Sequence, residues 1–133
     1  MYLDTVDRYA ETKFPEMLGR TMVSVTGEKG GEMTFTADNG DTFEFYYEPD
    51  CCASCAIDDI VGDLSDLIGS PILMAEEVSS DDASAPENAD SYTWTFYKFA
   101  TVKGYVTVKW LGESNGYYSE SVSYRFTPKA VAR

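Results

Sequence analysis

Ala56-Ile57-Asp58-Asp59-Ile60-Val61-Gly62-Asp63-Leu64-Ser65-Asp66-Leu67-Ile68 is the stretch on which the fold class turns. Ile57, Ile60, Val61, Leu64, Leu67 and Ile68 recur at the three- and four-residue spacing of one helical stripe. Asp58, Asp59, Asp63, Ser65 and Asp66 fall largely on the opposite side. The pattern predicts an amphipathic helix over about 56–68. Gly62 weakens it, so two short pieces could meet there, and Gly69 and Pro71 end it.

Outward from this stretch the signals are mostly those of strands. Upstream, Thr21 to Val25 reads as a strand, Gly27 to Gly31 as a turn, and Met33-Thr34-Phe35-Thr36 alternates. Asp38-Asn39-Gly40-Asp41 predicts a tight hairpin, because Asn-Gly tolerates the positive φ that such a turn needs. Thr42 to Tyr47 is the returning strand, stopped by Pro49 and Asp50. Before these, Tyr2, Val6, Tyr9 and Ala10 share a helical face, which predicts a short helix within 2–18, limited by Pro15.

Downstream, Ile72 to Val78 reads as a strand. Ser79 to Asp90 is polar and acidic and reads as a flexible loop. Ser91 to Ala100, Tyr105 to Leu111 and Tyr117 to Phe126 follow as β-rich runs. Ser114-Asn115-Gly116 predicts a second hairpin between the last two. Val106, Val108 and Trp110 alternate with Tyr105, Thr107 and Lys109. The expectation is one α+β domain over 1–133. It has an antiparallel sheet of about seven strands in two meanders, an N-terminal helix and one central amphipathic helix.

A chain of 133 residues fits a single domain. With 44% apolar and 14% aromatic residues it is too apolar for disorder. No apolar run approaches the roughly 20 residues of a bilayer span, and residues 1–15 lack the pattern of a signal peptide. A soluble, cytoplasmic protein is expected. Net charge is −13, and residues 30–97 carry 16 acids with no Lys or Arg. Such a field disfavours direct contact with nucleic acid or an anionic membrane and favours a basic protein surface. The bland alternative is solubility alone.

Catalytic chemistry has little to stand on. The sequence has no His, which removes the commonest general base and the usual partner of a nucleophilic Ser or Cys. Cys51, Cys52 and Cys55 include one Cys-x-x-Cys, but a structural zinc site needs four ligands and no fourth Cys exists. They read as structural thiols, unless a second chain completes a metal cluster. No phosphate-binding loop or calcium loop is present. No enzyme activity, cofactor or metal is therefore expected.

Two surfaces remain as candidate sites. One is an acidic face made by Asp58, Asp59, Asp63 and Asp66. The other is an aromatic and basic set in the second meander, made by Trp94, Tyr97, Lys109, Asn115, Tyr117, Tyr118 and Arg125. The latter could stack a nucleotide-like small molecule, with a homodimer as one way to complete its pocket.

Several segments also resemble a known family when taken together. They are Asp50-Cys51-Cys52, Gly62 to Ile72, Ala75-Glu76-Glu77, Ser91 to Lys98 and Ser114 to Glu120. In this order they resemble a family of small bacteriophage and prophage proteins that carry a domain of unknown function. The resemblance covers about Met17 to Phe126 and leaves residues 1–16 outside it, as an N-terminal extension. It implies a phage origin and a compact β-rich fold, and brings neither an activity nor catalytic residues. The functional expectation is a non-enzymatic phage accessory protein in the cytoplasm of an infected bacterium. It would be a counter-defence inhibitor that docks its acidic face on a basic, nucleic-acid-binding host protein. The alternative is a sponge that sequesters a nucleotide-like immune signal.

Overall fold

Alternation of period two, with slips of phase between Met22 and Ser24 and between Ile57 and Asp59, organises most of the described residues. The computed structural model describes residues 10–11, 14–49, 53–80, 91–114 and 121–129. Among them are nine strands: β1 (Ala10–Glu11), β2 (Met22–Gly27), β3 (Met33–Ala37), β4 (Thr42–Tyr46), β5 (Ala53–Val61), β6 (Met74–Ser80), β7 (Ser91–Thr101), β8 (Gly104–Ser114) and β9 (Ser123–Thr127). They form two antiparallel sheets, one in the order β1-β6-β7-β8-β5 and the other in the order β2-β3-β4-β9. The α+β expectation is therefore wrong. The fold of the described residues is all-β, with two short 3₁₀ turns at Pro15–Met17 and Leu64–Leu67.

The central helix expected over 56–68 is replaced by the end of β5, a glycine corner and the second 3₁₀ turn. The cause is a bulge in β5. Its register against β8 slips between Ile57 and Asp59, so Asp58 is an extra residue on the strand. The slip puts Ile57 and Ile60 on the same inward face at a spacing of three, which imitates a helical stripe. A 3₁₀ turn repeats every three residues, so Leu64 and Leu67 extend the imitation. The expected N-terminal helix is also overturned where it is described. Ala10–Glu11 pairs with β6, and Pro15–Met17 is a single 3₁₀ turn.

The two sheets pack face to face through aromatic side chains. From the four-stranded sheet come Met22, Met33, Phe35, Phe43 and Phe45; from the other come Ile57, Ala75, Tyr97, Phe99, Val106, Val108 and Trp110. Phe45 lies 4.9 Å from Tyr97, 5.7 Å from Phe99 and 4.9 Å from Phe14, centroid to centroid. Phe35 and Phe99 meet at 4.9 Å. Burying such rings is the largest favourable contribution available to a domain of this size. Trp110 is fully buried, and its indole N–H has no hydrogen-bond partner among the described residues.

The later part of the chain also departs from expectation. β9 does not form a hairpin with β8. It pairs with β4, where Phe126 stacks on Phe43 at 5.0 Å and Tyr124 packs 5.1 Å from Phe45. The segment expected as a loop from Ser79 begins as strand, since Ser79 and Ser80 pair with Thr95 and Trp94. Residues 81–90 of that loop lie outside the described residues.

Asp41 locks the β3–β4 turn. Its carboxylate accepts the Lys129 backbone N–H at 2.8 Å and the Arg20 guanidinium at 2.8 Å, and the Asn39 amide reaches it at 3.1 Å. These donors, the Lys129 backbone N–H first, hold its carboxyl below the usual carboxylate range. A depressed folded-state pKa contributes stability that is fully present above the unfolded value. That contribution is lost as pH falls through the folded value. Melting temperatures followed downward from pH 5 should fall more steeply below about pH 4 for the wild type than for Asp41→Asn. Parallel curves would show that this carboxylate is not linked to folding.

Candidate functional site

Among the described residues β5 is one of the two edge strands of its sheet, and the β2–β3 turn covers it at one place. The Gly30 N–H donates to the Ile57 carbonyl at 2.7 Å, and the Ile57 N–H donates to the Gly31 carbonyl at 3.3 Å. Beyond this clamp the strand carries the bulge and the two adjacent aspartates. Asp59 is exposed and Asp58 half-buried. Asp58 approaches the Lys109 ammonium at 3.8 Å, a loose and partly exposed ion pair. Asp59 stands opposite Lys109 in the strand register, and its carboxylate accepts the Ile60 N–H at 2.9 Å.

The chain then turns at Gly62 into the 3₁₀ turn. Asp63 precedes that turn, accepting the Ser65 N–H at 3.0 Å and the Ser65 hydroxyl at 2.8 Å. Those two hydrogen bonds lower its carboxyl pKa. Asp66 lies inside the turn, where its backbone carbonyl accepts the Thr101 hydroxyl. Its carboxylate rests beside Gly104, 2.9 Å from where a Cβ on that glycine would stand. The four expected acids therefore do not project from one helix face. They follow one another along an edge strand and the turn that leaves it, with Asp59 and Asp63 the most exposed.

The aromatic and basic set is spread over different surfaces. Trp94 and Lys109 meet on the outer face of the five-stranded sheet, with the Lys109 ammonium 4.2 Å from the Trp94 ring centroid. Tyr97 points the other way, into the core, where it is 2% exposed. Burial first, and then the Glu77 carboxylate it bonds, pushes its hydroxyl well above the ordinary phenol range. Arg125 belongs to the other sheet. It donates to Glu44 at 2.9 Å and lies 4.9 Å from the Tyr46 ring centroid. Asn115, Tyr117 and Tyr118 lie outside the described residues, as do Cys51 and Cys52. Cys55 is buried on the inward side of β5. Among the described residues no group of three or more His, Cys, Asp or Glu side chains could hold a metal ion.

One feature of the edge has no counterpart in the sequence reading. A cleft of about 330 Å³ runs over β5, walled by Tyr47, Cys55, Ile57 and Leu111, with Asp58 and Glu113 among its lining residues. Glu113 faces Ser54 across the β5–β8 ladder. Its only signal in the sequence is that it is one of two acids in the basic tail from 98 to 133. Tyr47 arrives from the end of β4, and nothing local marks it as a neighbour of β5.

Among the described residues no helix is long and apolar enough to cross a membrane. No curated protein and no solved structure matches the chain. A family model described as a domain of unknown function (DUF7448) matches residues 15–124, and the chain belongs to that family.

Proposed function

We propose that this protein is a non-catalytic binding module that engages a basic protein surface through the acids of β5 and the turn after it. The observation that carries this reading is the placement of Asp58, Asp59, Asp63 and Asp66. Asp58 and Asp59 lie on an edge strand and Asp63 and Asp66 on the 3₁₀ turn that follows it, within a 68-residue segment that has no Lys or Arg. Opposite charge across a contact speeds encounter and selects partners more than it adds raw affinity. The finer reading is a phage counter-defence inhibitor that acts in the bacterial cytoplasm on a nucleic-acid-binding host protein. It rests on the motif resemblance and on the way such an acidic edge would compete with a phosphate backbone.

The test is the triple variant Asp59→Asn, Asp63→Asn and Asp66→Asn. Asn keeps the side-chain oxygens that accept from Ile60 and Ser65, and it remains a good cap. The triple variant should therefore melt close to the wild type. Capture of a basic protein from bacterial lysate should be lost. A variant that melts like the wild type and still captures the same protein as tightly at low salt would refute the acidic-edge reading.

A further inference from the structure

We infer that the cleft over β5 receives the side chain of an arginine carried by the basic partner. This inference rests on the binding reading above and gives it a point of anchorage. At about 330 Å³ the cleft sits at the small end of the roughly 300–1,000 Å³ range of ligand sites. That size suits one long side chain better than a whole cofactor.

Its chemistry is divided as an arginine requires. Tyr47 and Leu111 offer aromatic and apolar wall to the methylene stem, and Asp58 and Glu113, also among the lining residues, supply carboxylates for the charged head. A guanidinium also stacks on an aromatic ring and binds carboxylates through two parallel hydrogen bonds, which an ammonium cannot do. The existing cation near the site competes weakly. Lys109 lies over Trp94 and reaches Asp58 at only 3.8 Å. The cleft lies on the same edge as Asp59, with Asp63 just past the end of β5. A basic segment seated there would therefore place its neighbouring residues beside further acids.

The experiment is a titration of the full-length isotope-labelled chain with a blocked Gly-Arg-Gly tripeptide amide, followed by backbone amide NMR. The same peptide with citrulline in place of arginine serves as the uncharged isostere. The arginine peptide should give saturable shifts centred on Ser54, Cys55, Ile57 and Leu111, and the citrulline peptide should give none. Asp58→Asn combined with Glu113→Gln should weaken binding at least about tenfold, with an unchanged melting temperature showing that the fold is intact. Shifts spread equally over remote acids such as Glu44, or an unchanged affinity in the double variant, would overturn the inference. The two readings fail separately. A basic protein captured at full strength by the double variant, yet lost from the Asp59, Asp63 and Asp66 variant, would remove the arginine cleft and leave the acidic edge standing.

Discussion

Phe45→Ala should cost about 3–5 kcal/mol, the range for deleting a fully buried phenyl ring. Phe45 is 0% exposed, and its ring contacts Phe14, Phe35, Tyr97, Phe99 and Tyr124. These partners come from both sheets and from the segment before the first 3₁₀ turn. Removing the ring opens a cavity at the centre of the interface, where the neighbours cannot all collapse inward together. Small domains are stable by about 5–15 kcal/mol, so the loss is a large share of the whole. Urea denaturation should show a much lower midpoint with a similar slope. Tyr46→Ala, one residue along on the outward face, should cost far less. If the two variants were equally mild, the sheets could not be packed face to face through this ring.

Gly62→Ala should cost about 3 kcal/mol or more. Gly62 has φ +113°, where an L side chain is strained by about 1–3 kcal/mol. A Cβ there would also stand 2.5 Å from the Tyr105 carbonyl oxygen, which is backbone and cannot swing aside. The corner exists because β5 ends against the start of β8 and the chain must turn at once into the 3₁₀ turn. Gly30→Ala separates the two contributions. Gly30 also has positive φ, at +84°, but an added Cβ there meets nothing within 4 Å. It should lose only about 1–2 kcal/mol. Equal losses in the two variants would mean that the close approach to Tyr105 does not hold in solution.

What the sequence disclosed divides along physical lines. Local alternation was readable: Met33, Phe35, Phe43, Phe45, Val106, Val108 and Trp110 all face inward, as period two requires. Tertiary choices were not readable. The bulge at Asp58 turned a strand into an apparent helical stripe, because one inserted residue changes a spacing of two into a spacing of three. The Asn115-Gly116 signal suggested a hairpin, yet the pattern of Tyr124 and Phe126 fits the inward face of either sheet. Pairing with β4 brings those two rings against Phe45 and Phe43. The candidate site was legible to the same degree. The acids of 58–66 stand out in the sequence by charge and by an apparent helical face, but the bulge and the 3₁₀ turn give them a different arrangement. Trp94 and Lys109, two members of the expected aromatic and basic set, do meet. Tyr97 and Arg125 are separated from them because strand parity and sheet membership send them elsewhere. Tyr47 and Glu113, which complete the cleft, come from strands distant in sequence and carried no joint signal.

The most direct test of the central claim, recognition of a basic partner by the acidic edge of β5, is calorimetry of the purified complex. The wild type and the Asp59, Asp63 and Asp66 triple variant are compared at low and at high salt. Exposed charge pairs are screened within about 10 Å at 0.1 M salt. The wild type should therefore bind tightly at low salt and weaken steeply as salt rises, while the variant should bind weakly throughout with a flatter dependence. Equal affinities and equal salt dependence for the two proteins would contradict the account.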